Sequence, residues 1–336
     1  MPGKQAFTIL SPDVGYILIQ RVVFCLRENM NDRNSRISAV GISVIICTYN
    51  RAPLLKRTLY ALSRQTLASK LFEVIVVDDG SRDETTKVCD NMRLTLPNLK
   101  CISTGANLGL AQGRNTGLDA SSGNYILFTD DDCITSQDWI ERMIGALDHA
   151  PIVAGAVAST TSNYFKLCHN ISQFHAYMPG QKAGFVEFIA GANMGFRRSV
   201  LEELKGFQKS RCAEDMHFVI RAREKGYRPF FVPDAVVTHD PDRTTLGEIM
   251  QYSARHAAET ICLRNKYRYV LKTPFILRSP LLILAAAPII ASKVTASIYL
   301  LNLKLAKFIY TLPTVFLLKL AWCWGAAHGL RKHLSK

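Results

Sequence analysis

The sequence has no uncharged stretch long enough for an ordinary membrane span. In the basic C-terminal part the longest, Ser279–Ser292, has 14 residues, and about 20 are needed to cross the apolar core of a bilayer. Cysteine patterning is also missing. The nine cysteines (25, 47, 89, 101, 133, 168, 212, 262 and 323) form no CxxC pair and no metal-ligand spacing. An odd, scattered set lying in apolar runs reads as buried thiols kept in a reducing compartment. The N-terminus lacks a secretory signal, because Phe7–Leu26 is broken by Asp13 and Arg21 and no small-residue cleavage site follows. These features together place the expected catalytic part on the cytoplasmic face of a membrane. Internal repeats and low-complexity segments are absent as well.

What is present is ample apolar material: 336 residues, 48% of them hydrophobic, enough for one large α/β domain and an appendage. The net charge of +14 is concentrated at one end. From Arg243 to Lys336 there are 14 Lys/Arg against two Asp/Glu, whereas the first 242 residues are nearly balanced. Basic residues alternating with apolar runs point to an anionic membrane surface, and away from nucleic acid as a partner.

Strand and helix signals alternate after residue 40. Ile42–Cys47, Phe72–Val77, Leu99–Ser103 and Tyr125–Thr129 are short apolar, β-branched runs of the kind buried in parallel sheets. Pro53 suits the first turn of a helix running to about Gln65, and another helix is expected from about Asp83. This order predicts an α/β, doubly wound, mostly parallel sheet that binds ligands at the carboxyl ends of its strands. The second half predicts a strand over Ile152–Ala158, then a polar loop to about Gly184, a tight glycine-bearing turn at Gly191–Gly195 and a helix over Ala213–Lys225 stopped by Gly226. A strand at Phe230–Val237 follows, delivering His239, and then a long amphipathic helix over Thr244–Tyr269. The expected organisation is an extension (1–40), a catalytic domain (41–242) and a basic helical membrane-associating region (243–336).

Three consecutive carboxylates, Asp130-Asp131-Asp132, end one of these strands. They repel one another unless a hard cation takes their oxygens as ligands; an acidic loop capping the next helix is the plainer alternative. Asp78-Asp79 ends a second strand and Thr48-Tyr49-Asn50-Arg51 a first. In a parallel sheet all three tips share one edge, which would offer carboxylates, a metal site and arginine for phosphate.

The ordered segments Ser43–Arg51, Val76–Asp83, Asn107–Gly117 (with Asn107, Gly109 and Arg114) and Phe128–Asp132 resemble glycosyltransferase family 2 over about residues 40–240. That resemblance implies a GT-A-type fold, a nucleoside-diphosphate sugar donor, a divalent metal (Mg²⁺ or Mn²⁺) and inversion at the anomeric carbon. By the same resemblance Thr48, Tyr49, Asn50, Arg51 and Asp79 line the nucleoside pocket, and Asn107, Gly109 and Arg114 close over the nucleotide. Asp130 and Asp132 form a DxD motif at ribose and metal, with Asp131 between them. Cys212–Met216 resembles the family's ED motif, making Asp215 the base, with Glu214 beside it. Asn193 and Met194 would border the donor sugar and acceptor, and His239 would be a third metal ligand. A carboxylate far from the DxD suits inversion, which needs a base on the face opposite the leaving group. Glu214 and Asp215 also suit a helix's first turn, where the dipole favours carboxylates. One departure concerns the QxxRW signature of processive members: Gln251–His256 has the Gln without its spacing or Trp, implying transfer of one sugar per encounter.

The basic tail reads as amphipathic helices lying in the bilayer interface, with Tyr310, Trp322 and Trp324 at the headgroups, since each lysine at mid-bilayer costs roughly 2.5–3.5 kcal/mol. A tilted span near 280–303 and a helical cap on the soluble domain are the alternatives. For function, the leading expectation is a metal-dependent sugar transferase acting on a lipid-linked or glycan acceptor at a membrane, with UDP the favoured carrier. Two others stay open: a nucleotidyltransferase, which would more often carry a glycine-rich phosphate loop and lysine after the first strand, and a non-catalytic nucleotide-sugar-binding or scaffold protein.

Overall fold

The computed structural model describes residues 41–208 and 213–334. The expected extension 1–40, Cys25 and Cys212 lie outside the described residues. Nine described strands form one mixed sheet in the order Leu99–Ser103, Phe72–Asp78, Ile42–Thr48, Tyr125–Thr129, Asn193–Arg197, Ile152–Ser159, Phe230–His239 and Cys133–Thr135, with Gly184–Phe185 pairing Phe230–His239 off that path.

The first half follows the apolar runs. β1 (Ile42–Thr48) and β2 (Phe72–Asp78) pair in parallel, placing Thr48 opposite Asp78. β3 (Leu99–Ser103) extends this parallel sheet beside β2, and β4 (Tyr125–Thr129) joins it beside β1. Helices α1 (Ala52–Leu62), α2 (Thr85–Met92) and α3 (Leu110–Asp119) are the crossovers. Because β2 and β3 grow away from one side of β1 while β4 takes the other, the strand order reverses between β1 and β4. A crevice opens outside their carboxyl ends. α1 stops at Leu62 rather than Gln65, and the Asp83 side chain, instead of starting a helix, accepts from Thr85 N (3.1 Å) at the head of α2.

β5 (Cys133–Thr135), α4 (Trp139–Leu147), β6 (Ile152–Ser159) and α5 (Tyr164–Phe174) follow. α5 corrects the expectation of a polar loop. Asn163 caps it by accepting from Phe165 N and Lys166 N, and Leu167 and Ile171 bury one face. The expected turn at Gly191–Gly195 is confined to its first half: Gly191 and Ala192 turn the chain, with Asn193 N donating to Ala190 O (3.0 Å), and a strand takes over from Asn193. β8 (Asn193–Arg197) is a central strand, antiparallel to both β4 and β6, and Met194 and Phe196 are wholly buried in it. Gly195 is there because a Cβ would meet the Leu127, Val153 and Met143 side chains at 2.9–3.2 Å. β7 (Gly184–Phe185), α6 (Arg198–Glu203), α7 (Glu214–Glu224) and β9 (Phe230–His239) complete the domain.

α8 (Leu246–Lys266) starts with a capping box in which Thr245 and Glu248 satisfy each other's backbone N–H. After α9 (Pro280–Ala285) and α10 (Ala287–Leu300), α11 (Leu312–Leu334) runs back along α8 and also touches α5. Gly325 and Gly329 let the backbones meet: a Cβ at either would strike Ala254 or Ala258 main-chain atoms within 2.3 Å. Polar contacts fix the seam, with Ser253 Oγ donating to Leu318 O (2.8 Å) and Lys319 Nζ to Ser172 O of α5 (2.8 Å). The segment 303–333 is long and apolar enough by length and composition to cross a membrane, and a third of its apolar window is buried inside the protein. Leu281, Ile289, Leu300, Leu301 and Leu303 face outward, each more than 70% exposed.

Candidate active site

The tips of β1, β2 and β4 meet at the crevice. Thr48 Oγ1 donates to Asp131 Oδ2 (2.7 Å), and Arg51 forks across the acidic run, Nη1 to Asp131 Oδ1 (2.7 Å) and Nη2 to Asp132 Oδ2 (2.6 Å). Thr58 Oγ1 of α1 holds the Asp131 carbonyl (2.8 Å). Asn50, with φ of +53°, turns its side chain to accept from Arg82 N (2.7 Å), stitching the β1 tip to the turn after β2. Tyr49 is exposed beside it.

Asp79 organises the next loop. Its Oδ1 accepts from Leu108 N (2.8 Å) and Thr104 Oγ1 (3.1 Å), and its Oδ2 accepts from Gly109 N (2.8 Å). Gly109, at φ +89°, opens α3, and Asn107 lies exposed on the loop so held. Arg114 sits deeper than a surface phosphate ligand would. Its guanidinium is buried, bonded to Glu214 through Nη1, to Gly191 O (3.0 Å) and Asp130 Oδ1 (3.4 Å) through Nη2, and it lies over the rings of Phe128 and Phe207. This one cation therefore joins the DxD segment to the head of α7, whose Glu214 lies 100 positions along the chain from Arg114.

Asp215 follows Glu214 in the first turn of α7. Its Oδ2 accepts from Gly191 N (2.9 Å) and Oδ1 from Met216 N (2.7 Å). Asp130 and Asp215 both line a cleft of about 340 Å³, whose wall includes Gly191, Tyr252 and His256. Burial pushes the Asp215, Asp130 and Glu214 carboxyls above the ordinary carboxylate range against the pull of Arg114. Burial likewise raises Asp131 to about 7. Asp132 goes the other way: burial opposes its charge, but the positive charge set against it, with Arg51 bonded to it directly, outweighs that.

The metal expectation can be tested on donor chemistry. Ligand atoms of Asp130, Asp132 and Cys133 all lie within 4.8 Å of one another. His239, at the end of β9, brings Nε2 to 3.4 Å from Asp132 Oδ1. Its other nitrogen is fixed: Asn170 Oδ1 can only accept, so His239 Nδ1 carries the proton of their 2.6 Å bond. Burial lowers the ring's pKa, so the neutral form is favoured and its Nε2 lone pair faces a carboxylate oxygen. Those two atoms compete for one positive charge, which a divalent cation would supply. Carboxylate oxygen and imidazole nitrogen suit Mg²⁺ or Mn²⁺ better than the Cys133 thiol, which burial keeps protonated. The residues fit the ion.

Two expected positions are corrected. Asn193 and Met194 do not border the cleft. Asn193 is wholly buried, accepting from Trp139 Nε1 (2.9 Å) and donating to Ala156 O (2.8 Å) and Ala235 O (2.9 Å). With these three bonds it serves as a core bracket between β6, β9 and α4. Sequence reasoning also missed Asn170. The signal for its helix was an Asn163 cap followed by apolar residues at 167, 171 and 174, but nothing in the pattern singled out Asn170 as the partner of His239.

The model for glycosyl transferase family 2 matches residues 43–205, and that for glycosyl transferase family group 2 matches residues 125–326. The chain belongs to glycosyltransferase family 2 and is a glycosyltransferase. It is similar to glycosyltransferase AglE of Haloferax volcanii, with 29% identity covering 64% of this chain and 71% of that protein. O-antigen chain rhamnosyltransferase RfbN of Salmonella typhimurium is 27% identical, over 63% of this chain and 70% of its own. The fold is shared with the mannosyltransferase PcManGT of Pyrobaculum calidifontis, solved with GDP-Man and Mn²⁺, at TM-score 0.57 and 19% identity, covering 91% of this chain and 94% of that one. The fold is therefore of the GT-A type.

Proposed function

We propose that this glycosyltransferase moves one sugar per encounter from a nucleoside-diphosphate donor, with UDP the leading carrier, to a hydroxyl acceptor at a membrane, inverting the anomeric centre. The reading is carried by the placement of Asp130 and Asp215 on one cleft, a carboxylate for the leaving-group side and one for the attacking side. Asp130, Asp132 and His239 would hold the divalent cation, which when bound offsets the charge developing on the departing diphosphate.

The chain's own residues have separable tasks. Thr48, Tyr49, Asn50, Arg51 and the Asp79-held loop with Asn107 and Gly109 receive the nucleoside. Arg51 neutralises the acidic run between turnovers. Asp215 takes the acceptor proton as the hydroxyl attacks, and its raised pKa makes it a stronger base than a free aspartate once ionised. Gly191 N and Met216 N hold that carboxylate in place. Arg114 with Glu214 keeps Asp215 and Asp130 in fixed register. The exposed leucines of α9 and α10 and the basic tail support association with anionic lipid at the interface. The free thiols at Cys47, Cys89, Cys101, Cys133, Cys168, Cys262 and Cys323 favour the cytoplasmic face.

The test is a thermal-shift panel of UDP-, GDP-, dTDP- and CMP-sugars, each with Mn²⁺ and with EDTA. One nucleotide sugar should raise Tm with Mn²⁺ and lose that effect in EDTA or in Asp132→Ala. A folded protein that none of them stabilises would sink the reading.

A further inference from the structure

The catalytic cleft does not end at Asp215. Met216, His256, Thr260 and Arg264 line it and also line a second cavity of about 340 Å³. Beyond that shared wall the lining becomes apolar, built by Leu277, Ile290, Val294 and Trp322. Ile290 and Val294 lie on α10, where Ile289 and Leu300 are exposed on the outside. The second cavity is thus bordered by a helix that also carries exposed apolar residues on its outside.

Arg264 marks the junction. Arg51 and Arg114 are matched by carboxylates. Arg264, half-buried in the last turn of α8, has no carboxylate or carbonyl partner for its guanidinium among the described residues. Burial lowers its pKa and no neighbouring charge opposes that. Lys319, on the same cavity, uses Nζ to donate to Ser172 O and keeps further N–H bonds to give. A desolvated guanidinium facing a cavity calls for an anion. That anion need not be the accepting group, because an ionised phosphate oxygen needs no base, whereas a hydroxyl does, and Asp215 is at hand for it.

We infer that the two cavities form one acceptor channel for a saccharide joined through a phosphate or diphosphate to a long apolar chain. The sugar hydroxyl lies at Asp215, the phosphate at Arg264 and Lys319, and the chain along Ile290, Val294 and Trp322. This rests on the transfer reading above and names its acceptor. In the step, the acceptor O–H bond breaks and its proton passes to Asp215. The oxygen bonds to the anomeric carbon as that carbon's bond to the donor diphosphate breaks, and the electron pair leaves with the nucleoside diphosphate. The acceptor's own phosphate is untouched.

The full chain in nanodiscs is photolabelled with benzophenone-bearing geranylgeranyl diphosphate and the adducts are mapped by mass spectrometry. Adducts are expected on the peptides carrying Leu277, Ile290, Val294 or Trp322, and unlabelled geranylgeranyl diphosphate should displace the probe. Arg264→Ala should cut labelling about tenfold or more, with part retained in Arg264→Lys, as expected for loss of a charged hydrogen bond. Where Arg264→Ala does not fold, Ile290→Trp, which fills the chain cavity, should abolish labelling instead. Equal displacement by inorganic diphosphate, by geranylgeraniol or by phosphatidylglycerol vesicles would overturn the channel, revealing a bare anion site, an apolar site or an ordinary lipid contact. Unchanged labelling in the folded variants would do the same. Donor stabilisation is measured separately on the unaltered chain: its loss overturns the transfer reading while labelling stands, and donor binding without labelling overturns the channel alone.

Discussion

Asn170→Ala should weaken Mn²⁺ binding about tenfold to a hundredfold, although Asn170 is not a proposed ligand. Its Oδ1 holds His239 Nδ1 at 2.6 Å and its Nδ2 donates to His239 O at 2.8 Å, so one side chain grips both the ring and the backbone of the same residue. The grip leaves Nε2 unprotonated and aimed at Asp132, 3.4 Å away. His169, stacked at 5.9 Å, and Phe174, edge-on at 5.0 Å, limit the ring's tilt. Removing the partner of a metal-bound histidine typically costs 10–100-fold in affinity, about 1.4–2.7 kcal/mol. The variant also leaves a buried N–H unpaired, so a general loss of stability of about 1–3 kcal/mol has to be separated from loss of aim. Asn170→Asp does this: it keeps an acceptor for Nδ1, makes the imidazole a stronger donor to the ion, and surrenders only the bond to His239 O. Free Mn²⁺ counted by electron paramagnetic resonance, with the chain saturated by its nucleotide sugar, should show Ala weakened and Asp close to the parent or tighter. Equal affinity in all three folded proteins would refute His239 as a ligand, and equal loss in Ala and Asp would refute the positioning role.

Asp215→Asn should keep Mn²⁺-dependent donor stabilisation and lower turnover by about a hundredfold to ten-thousandfold; full turnover would move the base elsewhere. Because burial holds the Asp215 carboxyl above its ordinary value of 3.8, kcat/KM should rise with pH through a midpoint above that value, and the limb should vanish in the variant. Glu73 tests linkage at the opposite end of β2. Burial opposes its charge, but bonds from Lys100, Ser122 and Ser43 hold its pKa at about 2 against 4.5 when unfolded, about 3 kcal/mol at most with the exposed Lys100 screened. A depressed carboxylate stabilises above the unfolded value, so the urea stability gap between the parent and Glu73→Gln should be full at pH 7 and close as pH falls from about 4.5 to about 2. Leu301→Asp with Leu303→Asp should weaken partition onto phosphatidylglycerol vesicles about a hundredfold, at roughly 1.5 kcal/mol for each leucine no longer buried; unchanged partition would place the membrane contact on another face.

What was legible in the sequence was what depends on local pattern. β-branched runs located β1, β2, β3 and β4, and their parallel pairing carried Thr48, Asp79 and Asp130 to one edge without any knowledge of side-chain contacts. The ED segment was legible for the same reason, since a helix start that carries two carboxylates is visible in one turn of chain. What escaped depends on partners remote in sequence. Gly191–Gly195 has the composition of a turn, but β8 fills the gap between β4 and β6, where glycine is demanded by the side chains of Leu127, Val153 and Met143 rather than by backbone conformation. Asn193 on that strand was read as a ligand-facing amide. A polar side chain in such a strand is stable only when every donor and acceptor is met, and Trp139, Ala156 and Ala235 meet them from three different elements. Asn170 carries the same arithmetic one residue from the proposed ion site, where its two bonds fix a tautomer. The two asparagines are indistinguishable as letters on apolar elements. They differ only in what the fold sets opposite them, a core indole for one and a His239 ring bordering the acidic cluster for the other.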